Sequence, residues 1–169
     1  SAGQRCSALR VLIVQEDIAD AAIEMIAGAM ALLHVDDSKY LSTDVGPVID
    51  EQAKQALDAH IGALKHTAKL IYATELKTGL NGSFVAPHLF EIDDLDSLRA
   101  EIFGPVLQVY RFKRKNLSKV IQSINDWRYG LTFGVHSRID SFVKEVTQKI
   151  QVGNVYVNRN TIGAVVGLQ

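Results

Sequence analysis

The apolar positions of the chain alternate between strand-like and helix-like spacing from one segment to the next. Residues 9–14 form a short, nearly continuous apolar run, which predicts a first strand that is covered on both faces. An acidic N-cap at Asp17 then precedes apolar residues at helical spacing, so a first helix is predicted to run to about His34. Residues 36–48 are polar and contain a Gly-Pro break, which indicates a loop.

A second helix is predicted directly after this loop, with Asp50 as its N-cap. Helical spacing places five apolar residues on its inward face: Ala53, Ala56, Leu57, Ile61 and Leu64. Pro87 lies within the apolar segment at residues 84–92 and indicates an edge or a bend there. The later short apolar segments predict strands at residues 70–73, 84–92, 106–112, 131–136 and 155–157. Two more helices are predicted between these strands, over residues 117–124 and 139–150.

Strands and helices that alternate at this spacing predict an α/β fold. Parallel neighbouring strands need a crossover of a dozen or more residues, so we expect a three-layer α/β/α sandwich with a mostly parallel sheet. The chain has 169 residues, of which 47% are hydrophobic and 22% charged, and is expected to form one domain over residues 1–169. The phosphate-binding patterns Gly-x-Gly-x-x-Gly and Gly-x-x-x-x-Gly-Lys are absent from the sequence, so no dinucleotide-binding fold is predicted within it.

The amino-acid composition limits which partners and which cell compartment are expected for the chain. The formal net charge is −1, so the chain lacks the basic field that attracts nucleic acid, and we expect no nucleic-acid partner. A single cysteine excludes an internal disulfide, and no signal peptide opens the chain, which together predict a cytoplasmic location. No apolar run approaches the length of a membrane span, so a soluble protein is predicted.

The single cysteine, Cys6, lies in a small, polar, turn-prone stretch at residues 1–10, Ser-Ala-Gly-Gln-Arg-Cys-Ser-Ala-Leu-Arg. A thiolate is the reactive form of cysteine, and nearby positive charge favours it. Arg5 is adjacent to Cys6, and Gly3 allows another part of the backbone to come close. These features make Cys6 a candidate nucleophile. A lone cysteine is by itself more typical of a small buried apolar residue, so the interpretation depends on a second motif.

That second motif is Glu-Ile-Phe-Gly-Pro, which starts at Glu101 and directly precedes the predicted strand at residues 106–112. By shape alone it is a turn, in which Gly104 supplies backbone freedom, Pro105 stiffens the chain and Phe103 packs. Together with Gly-Gln-Arg-Cys, about 95 residues earlier, it resembles the aldehyde dehydrogenase superfamily. The resemblance covers nearly the whole chain.

The two ends of the chain carry a finer resemblance. Residues 1–10 and 158–167 are similar to the Δ1-pyrroline-5-carboxylate dehydrogenase module of bifunctional proline-utilisation proteins. The resemblance implies that Cys6 attacks L-glutamate 5-semialdehyde, that hydride passes to NAD, and that the resulting thioester is hydrolysed to glutamate. It further implies that Glu101 binds the nicotinamide ribose and that Phe103 faces the nicotinamide. For the substrate carboxylate it implies three binding residues, namely Ser7, Gly163 and Ala164.

The same resemblance sets expectations about the rest of the protein. The family's NAD-binding domain, its general-base glutamate and its oxyanion-hole asparagine have no counterpart in these residues. We therefore expect the chain to be the catalytic domain of a larger enzyme, with its NAD-binding domain upstream in the same polypeptide, and to be inactive alone. FAD is expected only if the parent carries a proline dehydrogenase domain. A homo-oligomer of the parent is compatible with the resemblance, as is a peripheral location at the inner membrane.

Several other functions remain open from the residues themselves. A cysteine hydrolase would pair Cys6 with one of the five histidines, although none lies in a recognisable signature. No metal site is predicted, because no cysteine or histidine pair has ligand-like spacing; His60 and His66 would lie on different helical faces. A non-catalytic structural or regulatory module of a larger protein is the main alternative from another class. An aldehyde dehydrogenase with another small aldehyde substrate is the alternative within the family.

Overall fold

A four-stranded sheet is the centre of the fold in the computed structural model, which describes residues 1–98, 100–127 and 130–163. Its strands are β1 (Val11–Gln15), β2 (Lys69–Ala73), β3 (His88–Ile92) and β4 (Val106–Phe112). They lie in the order β1-β4-β3-β2. Strands β1 and β3 are both parallel to β4, and only the pairing of β2 with β3 is antiparallel in this sheet. The predicted mostly parallel α/β sheet is thereby confirmed.

Helices cover both faces of the sheet: α1 (Glu16–Ala31) on one, and α2 (Glu51–Thr67), α3 (Leu117–Asp126) and α4 (Asp140–Lys149) on the other. Alternation along β4 sorts the side chains between the faces. Val109 packs in the cluster that contains α1 residues, whereas Val106 packs with α2 and Phe112 with α3 and α4. This arrangement forms the three predicted layers.

The predicted helix starts are right for α2 and wrong in detail for α1. The side chain of Asp50 accepts a hydrogen bond from the backbone N–H of Ala53 at 2.7 Å, as an N-cap does. Helix α1 instead has Gln15 at its cap, and Asp17 lies in the first turn, where a carboxylate still complements the helix dipole. On α2, Ala56 is exposed and not part of the inward face, because it lies about 100° around the helix from the fully buried Leu57.

One of the strand predictions also needs correction. The strand predicted at residues 84–92 begins only at His88, because Pro87 has no N–H for the ladder. Phe84 and Val85 are buried outside the sheet, and Val85 packs in the α2 cluster. The last two strands, β5 (Thr132–Val135) and β6 (Asn154–Val157), pair in parallel as a separate two-stranded sheet.

The sheet topology decides which loops meet. Parallel strands start at the same edge, so the segments that precede β1 and β4 emerge side by side. A hydrogen bond of 2.9 Å from the Gln108 N–H to the Arg10 carbonyl oxygen joins the two strands at this edge. Residues 1–10 and 101–105, which carry the two sequence motifs, therefore lie together. Among the described helices, none has both the length and the apolar character needed to cross a membrane.

Candidate active site

Two glycines bring the two motif loops into direct contact. Gly3 has a φ of +67°, in the left-handed region, and a Cβ there would overlap the carbonyl oxygen of Gly104. A Cβ on Gly104 would in turn overlap the side chain of Leu57, which is only 1% exposed on α2. The cysteine loop, the Glu101 loop and helix α2 can therefore stack only because both positions lack a side chain.

Cys6 is a free, exposed thiol in the cysteine loop. Two turns shape this loop: the Gln4 N–H donates to the Ser1 carbonyl oxygen, and the Ala8 N–H to that of Arg5, both at 3.0 Å. The Gln4 side-chain carbonyl accepts from the Ile49 N–H at 2.8 Å, which ties the loop to the chain before α2. The loop thus holds the cysteine at the surface of a fixed turn, where it can meet a substrate.

Arg10 joins the two motif loops, and sequence reasoning missed this residue. Its guanidinium donates to the carbonyl oxygens of Ala8 and Arg5 at 2.9 Å each, and to that of Ile102 at 3.2 Å. It also lies 3.3 Å from a carboxylate oxygen of Glu101. Its position at the end of the motif stretch, just before an apolar strand, was a sequence signal for a half-buried arginine. One side chain therefore contacts both motif loops.

The second loop presents a carboxylate and an aromatic ring. The Glu101 side chain is 33% exposed, and its ion pair with Arg10 occupies one carboxylate oxygen, so acceptor sites remain for hydroxyl groups. Phe103 is 43% exposed, and the Arg10 guanidinium lies 4.4 Å from the centroid of its ring. An exposed acceptor beside a flat apolar surface suits a sugar that carries a planar heterocycle.

The loop that follows β6 reaches the cysteine loop. Thr161 donates its hydroxyl to the carbonyl oxygen of Ser7 at 2.9 Å, across 154 residues of sequence. Asn158 adopts a φ of +53° and exchanges side-chain hydrogen bonds with the backbone of Ser137, which holds the start of this loop. Ser7 is 4% exposed, in contrast to the exposed Cys6. The structure therefore brings Ser7 near the segment that contains Gly163, whereas Ala164 lies outside the described residues.

A mostly apolar crevice of about 260 Å³ lies beneath the two motif loops, and its lining includes Gly3, Gly104 and His88. His88 is 8% exposed, and its ring stacks on that of Phe90 with centroids 5.7 Å apart. Its Nδ1 lies 2.7 Å from the Ala86 carbonyl oxygen, so the proton is assigned to Nδ1. Burial lowers the pKa of His88, and the bond to Ala86 only partly opposes this effect.

The lowered pKa of His88 predicts a loss of stability in acid. The unfolded chain takes up a proton near the ordinary histidine pKa of about 6.5, whereas the folded chain resists it to lower pH. The free energy of unfolding should therefore be highest above that pH and fall as the pH drops toward the folded-state pKa. His88→Asn can keep the hydrogen bond to Ala86. In this variant we expect the free energy of unfolding, measured with urea, to fall less steeply as the pH drops.

The measurement needs a background in which His60 is replaced. Burial also lowers the pKa of His60, so this residue makes the free energy of unfolding fall in acid as well. The comparison is therefore made in His60→Gln, with and without the His88 change. An unchanged pH dependence in the double variant would show that His88 is not the group that senses acid.

The chain is similar in sequence to a known protein family and to individual proteins. The family model described as "Aldehyde dehydrogenase family" matches residues 1–168. The bifunctional protein PutA of Klebsiella aerogenes is 47% identical over 175 aligned residues, covering 100% of this chain and 13% of that protein. The 1-pyrroline-5-carboxylate dehydrogenase of Geobacillus sp. strain WCH70 is 33% identical over 169 residues, covering 99% of this chain and 32% of that protein.

Solved structures agree in fold. A crystal structure of a mutant proline utilization A from Bradyrhizobium japonicum superposes with a TM-score of 0.94 at 54% identity, over 100% of this chain and 17% of that chain. A 1-pyrroline-5-carboxylate dehydrogenase from Thermus with bound NAD gives a TM-score of 0.89 at 32% identity, over 99% of this chain and 32% of that chain. The chain thus spans between about an eighth and a third of the relatives it matches.

Proposed function

The chain belongs to the aldehyde dehydrogenase family, and we propose that it is the cysteine-bearing catalytic domain of a larger NAD-dependent enzyme. The proposed reaction is the oxidation of L-glutamate 5-semialdehyde to glutamate in proline catabolism. The observation that carries the proposal is the contact of Gly3 with Gly104, which sets the Cys6 loop against the Glu101 loop. Relatives at 54% and 33% identity are named proline utilization A and 1-pyrroline-5-carboxylate dehydrogenase, and they support the choice of substrate.

The residues of this chain fit the nicotinamide end of NAD. The exposed oxygen sites of Glu101 suit the two ribose hydroxyls, and the exposed ring of Phe103 suits the nicotinamide. When bound, NAD accepts the hydride that leaves the aldehyde carbon. We place the remainder of the NAD site in an NAD-binding domain elsewhere in the same polypeptide. FAD enters the proposal only for a parent that also carries a proline dehydrogenase domain, and the single cysteine suits a reducing, cytoplasmic setting.

Cys6 supplies the covalent chemistry in this proposal. Its thiolate adds to the aldehyde carbon, and the backbone N–H of Cys6 donates a hydrogen bond to the oxygen that becomes negative. Loss of hydride from the same carbon leaves an acyl group on the sulfur as a thioester. Water then adds to the thioester carbon, the carbon–sulfur bond breaks, and the carboxylic acid leaves. The sulfur keeps one proton of the water and is restored as the thiol. A thioester has less resonance stabilisation than an oxygen ester, so its hydrolysis is thermodynamically more favourable.

Ser7, Gly163 and Ala164 are the proposed ligands of the substrate carboxylate. A loop of small residues lets an anion approach the backbone, whose N–H groups can bind it without a full positive charge. The hydrogen bond from Thr161 to Ser7 supports the proposal, because it joins the loop that contains Gly163 to the residue after the nucleophile.

Replacing Ser7 with alanine in the full-length protein tests this assignment. We expect the KM for the semialdehyde to rise about tenfold, the effect of one lost hydrogen bond to a charged group at about 1.5 kcal/mol. Oxidation of a simple aldehyde that lacks the carboxylate should barely change. Equal losses on both substrates would mean that Ser7, which is 4% exposed, supports the Cys6 loop and does not bind substrate.

The overall proposal is tested by NAD reduction in the full-length protein with a panel of aldehydes. Glutamate semialdehyde should give the highest kcat/KM, and short aldehydes without a carboxylate should give lower values. A preference for another aldehyde would keep the family chemistry and overturn the substrate. A purified, folded parent that oxidises no aldehyde in the panel would overturn the enzymatic proposal in favour of a structural or regulatory module.

A further inference from the structure

Arg10 contacts residues of both motif loops of the candidate site. Its guanidinium donates to Arg5 and Ala8, the residues that flank Cys6 by one and two positions, and to Ile102 in the second loop. It also pairs with Glu101 and lies over the Phe103 ring. We propose that Arg10 is a positioning residue that holds the Cys6 loop and the Glu101 carboxylate in one geometry, so that nucleophile reactivity and NAD affinity depend on the same guanidinium. The NAD part of this inference rests on the proposed function.

The shape of the side chain explains why arginine suits this position. A guanidinium presents five N–H donors in a rigid planar fork, so it can donate in several directions and still stack on a ring with its flat face. Lysine has one compact ammonium group and cannot reach carbonyl oxygens of two loops while covering Phe103. The Arg10 side chain is 16% exposed, and hydrogen bonds are stronger in such a partly buried site than in water.

The backbone of Arg10 gives the guanidinium a fixed base. Arg10 is the residue directly before β1, and its carbonyl oxygen accepts the hydrogen bond from the Gln108 N–H of β4 at 2.9 Å. The side chain therefore projects from the edge of the parallel sheet, whereas its partners lie in the loops. Through this side chain, the start of β1 fixes the positions of the loop carbonyls of Arg5, Ala8 and Ile102.

The distribution of contacts predicts two separate effects when the guanidinium is lost. On the nucleophile side, two carbonyl oxygens lose their donor, so the turn around Cys6 loosens and the reactivity of the thiol changes. On the cofactor side, Glu101 loses its ion-pair partner and Phe103 its stacking group. Glu101 can then move away from the nicotinamide ribose, and Phe103 from the nicotinamide. A merely structural arginine would lower stability without moving these two readouts together.

The test compares Arg10→Met and Arg10→Lys with wild type in the full-length protein. We measure the Kd for NAD, the rate of Cys6 alkylation by iodoacetamide as a function of pH without NAD, and kcat and KM. Arg10→Met is expected to weaken NAD binding about tenfold or more and to change the alkylation rate several-fold, in line with the loss of hydrogen bonds to charged groups. Arg10→Lys should recover part of the NAD affinity through its charge and should keep the altered alkylation profile.

Arg114 offers a matched control, because it also pairs with a glutamate and stacks on a phenylalanine. Its guanidinium lies 2.9 Å from Glu145 and 5.1 Å from the Phe142 ring, outside both motif loops. Arg114→Met should leave NAD affinity and Cys6 alkylation at wild-type values. A double-mutant cycle adds Glu101→Gln: if Arg10 acts on NAD through Glu101, Arg10→Met should cost much less affinity in that background.

Each outcome decides the inference. Equal behaviour of Arg10→Met and Arg114→Met would overturn it, as would full additivity of the Arg10 and Glu101 changes in NAD affinity together with unchanged alkylation. If Arg10→Met does not fold, judged by circular dichroism, Arg10→Lys carries the comparison. If wild type binds no NAD, the proposed function fails, and the positioning role is then decided by Cys6 alkylation alone.

Discussion

Replacing Cys6 with serine in the full-length protein is expected to lower aldehyde-dependent NAD reduction by about 10³-fold or more. A serine hydroxyl forms almost no alkoxide at neutral pH, whereas a thiol ionises far more readily and its thiolate is the stronger nucleophile. The rate of NADH formation with saturating semialdehyde measures the loss.

The Kd for NAD is the control for this variant, because the proposed cofactor site in this chain consists of Glu101 and Phe103 and does not include Cys6. It should stay near the wild-type value. Iodoacetamide should inactivate wild type, since the thiol is exposed, and should not lower the residual rate of Cys6→Ser further. A Cys6→Ser enzyme that retains a tenth of wild-type activity would show that Cys6 is not the nucleophile.

Gly3→Ala is expected to reduce kcat/KM about 100-fold, because the added Cβ forces the two motif loops apart. The residue has a φ of +67°, which costs an L-residue about 1–2 kcal/mol, and its Cβ would overlap the backbone carbonyl of Gly104. Backbone atoms cannot turn aside as a flexible side chain can, so the loops must separate. Misplacement of reacting groups by about 1 Å can cost a factor of about 10² in rate.

Gly79 supplies a control that separates the backbone strain from the overlap. Its φ is +84°, and an added Cβ would meet no heavy atom within 4 Å. Gly79→Ala should therefore lose about 1–2 kcal/mol of stability through backbone strain alone and should keep nearly wild-type kcat/KM. Similar kinetic losses in the two alanine variants would mean that the contact of Gly3 with Gly104 does not hold the site together.

The fold was predictable wherever burial follows a simple period. The strand at residues 106–112 was predicted with its correct bounds and faces, because each face packs on a different helix layer. The segment at residues 84–87 was misjudged, since Phe84 and Val85 are as buried as strand residues while lying outside the ladder. Apolar periodicity reports burial, and it cannot tell a ladder from a packed loop when a proline blocks the hydrogen bonds.

By itself, the sequence determined the chemistry available to this protein: a single thiol in a small-residue turn, a distant Glu-x-Phe-Gly-Pro motif, and the helix and strand periods that lead to an α/β fold. Only the tertiary structure decided how these parts meet. The contact of Gly3 with Gly104 and the bonds of Arg10 to Ile102 and Glu101 join residues more than 90 positions apart. They exist because β1 and β4 are parallel neighbours, and strand order depends on the packing of the whole sheet, which local sequence patterns do not specify.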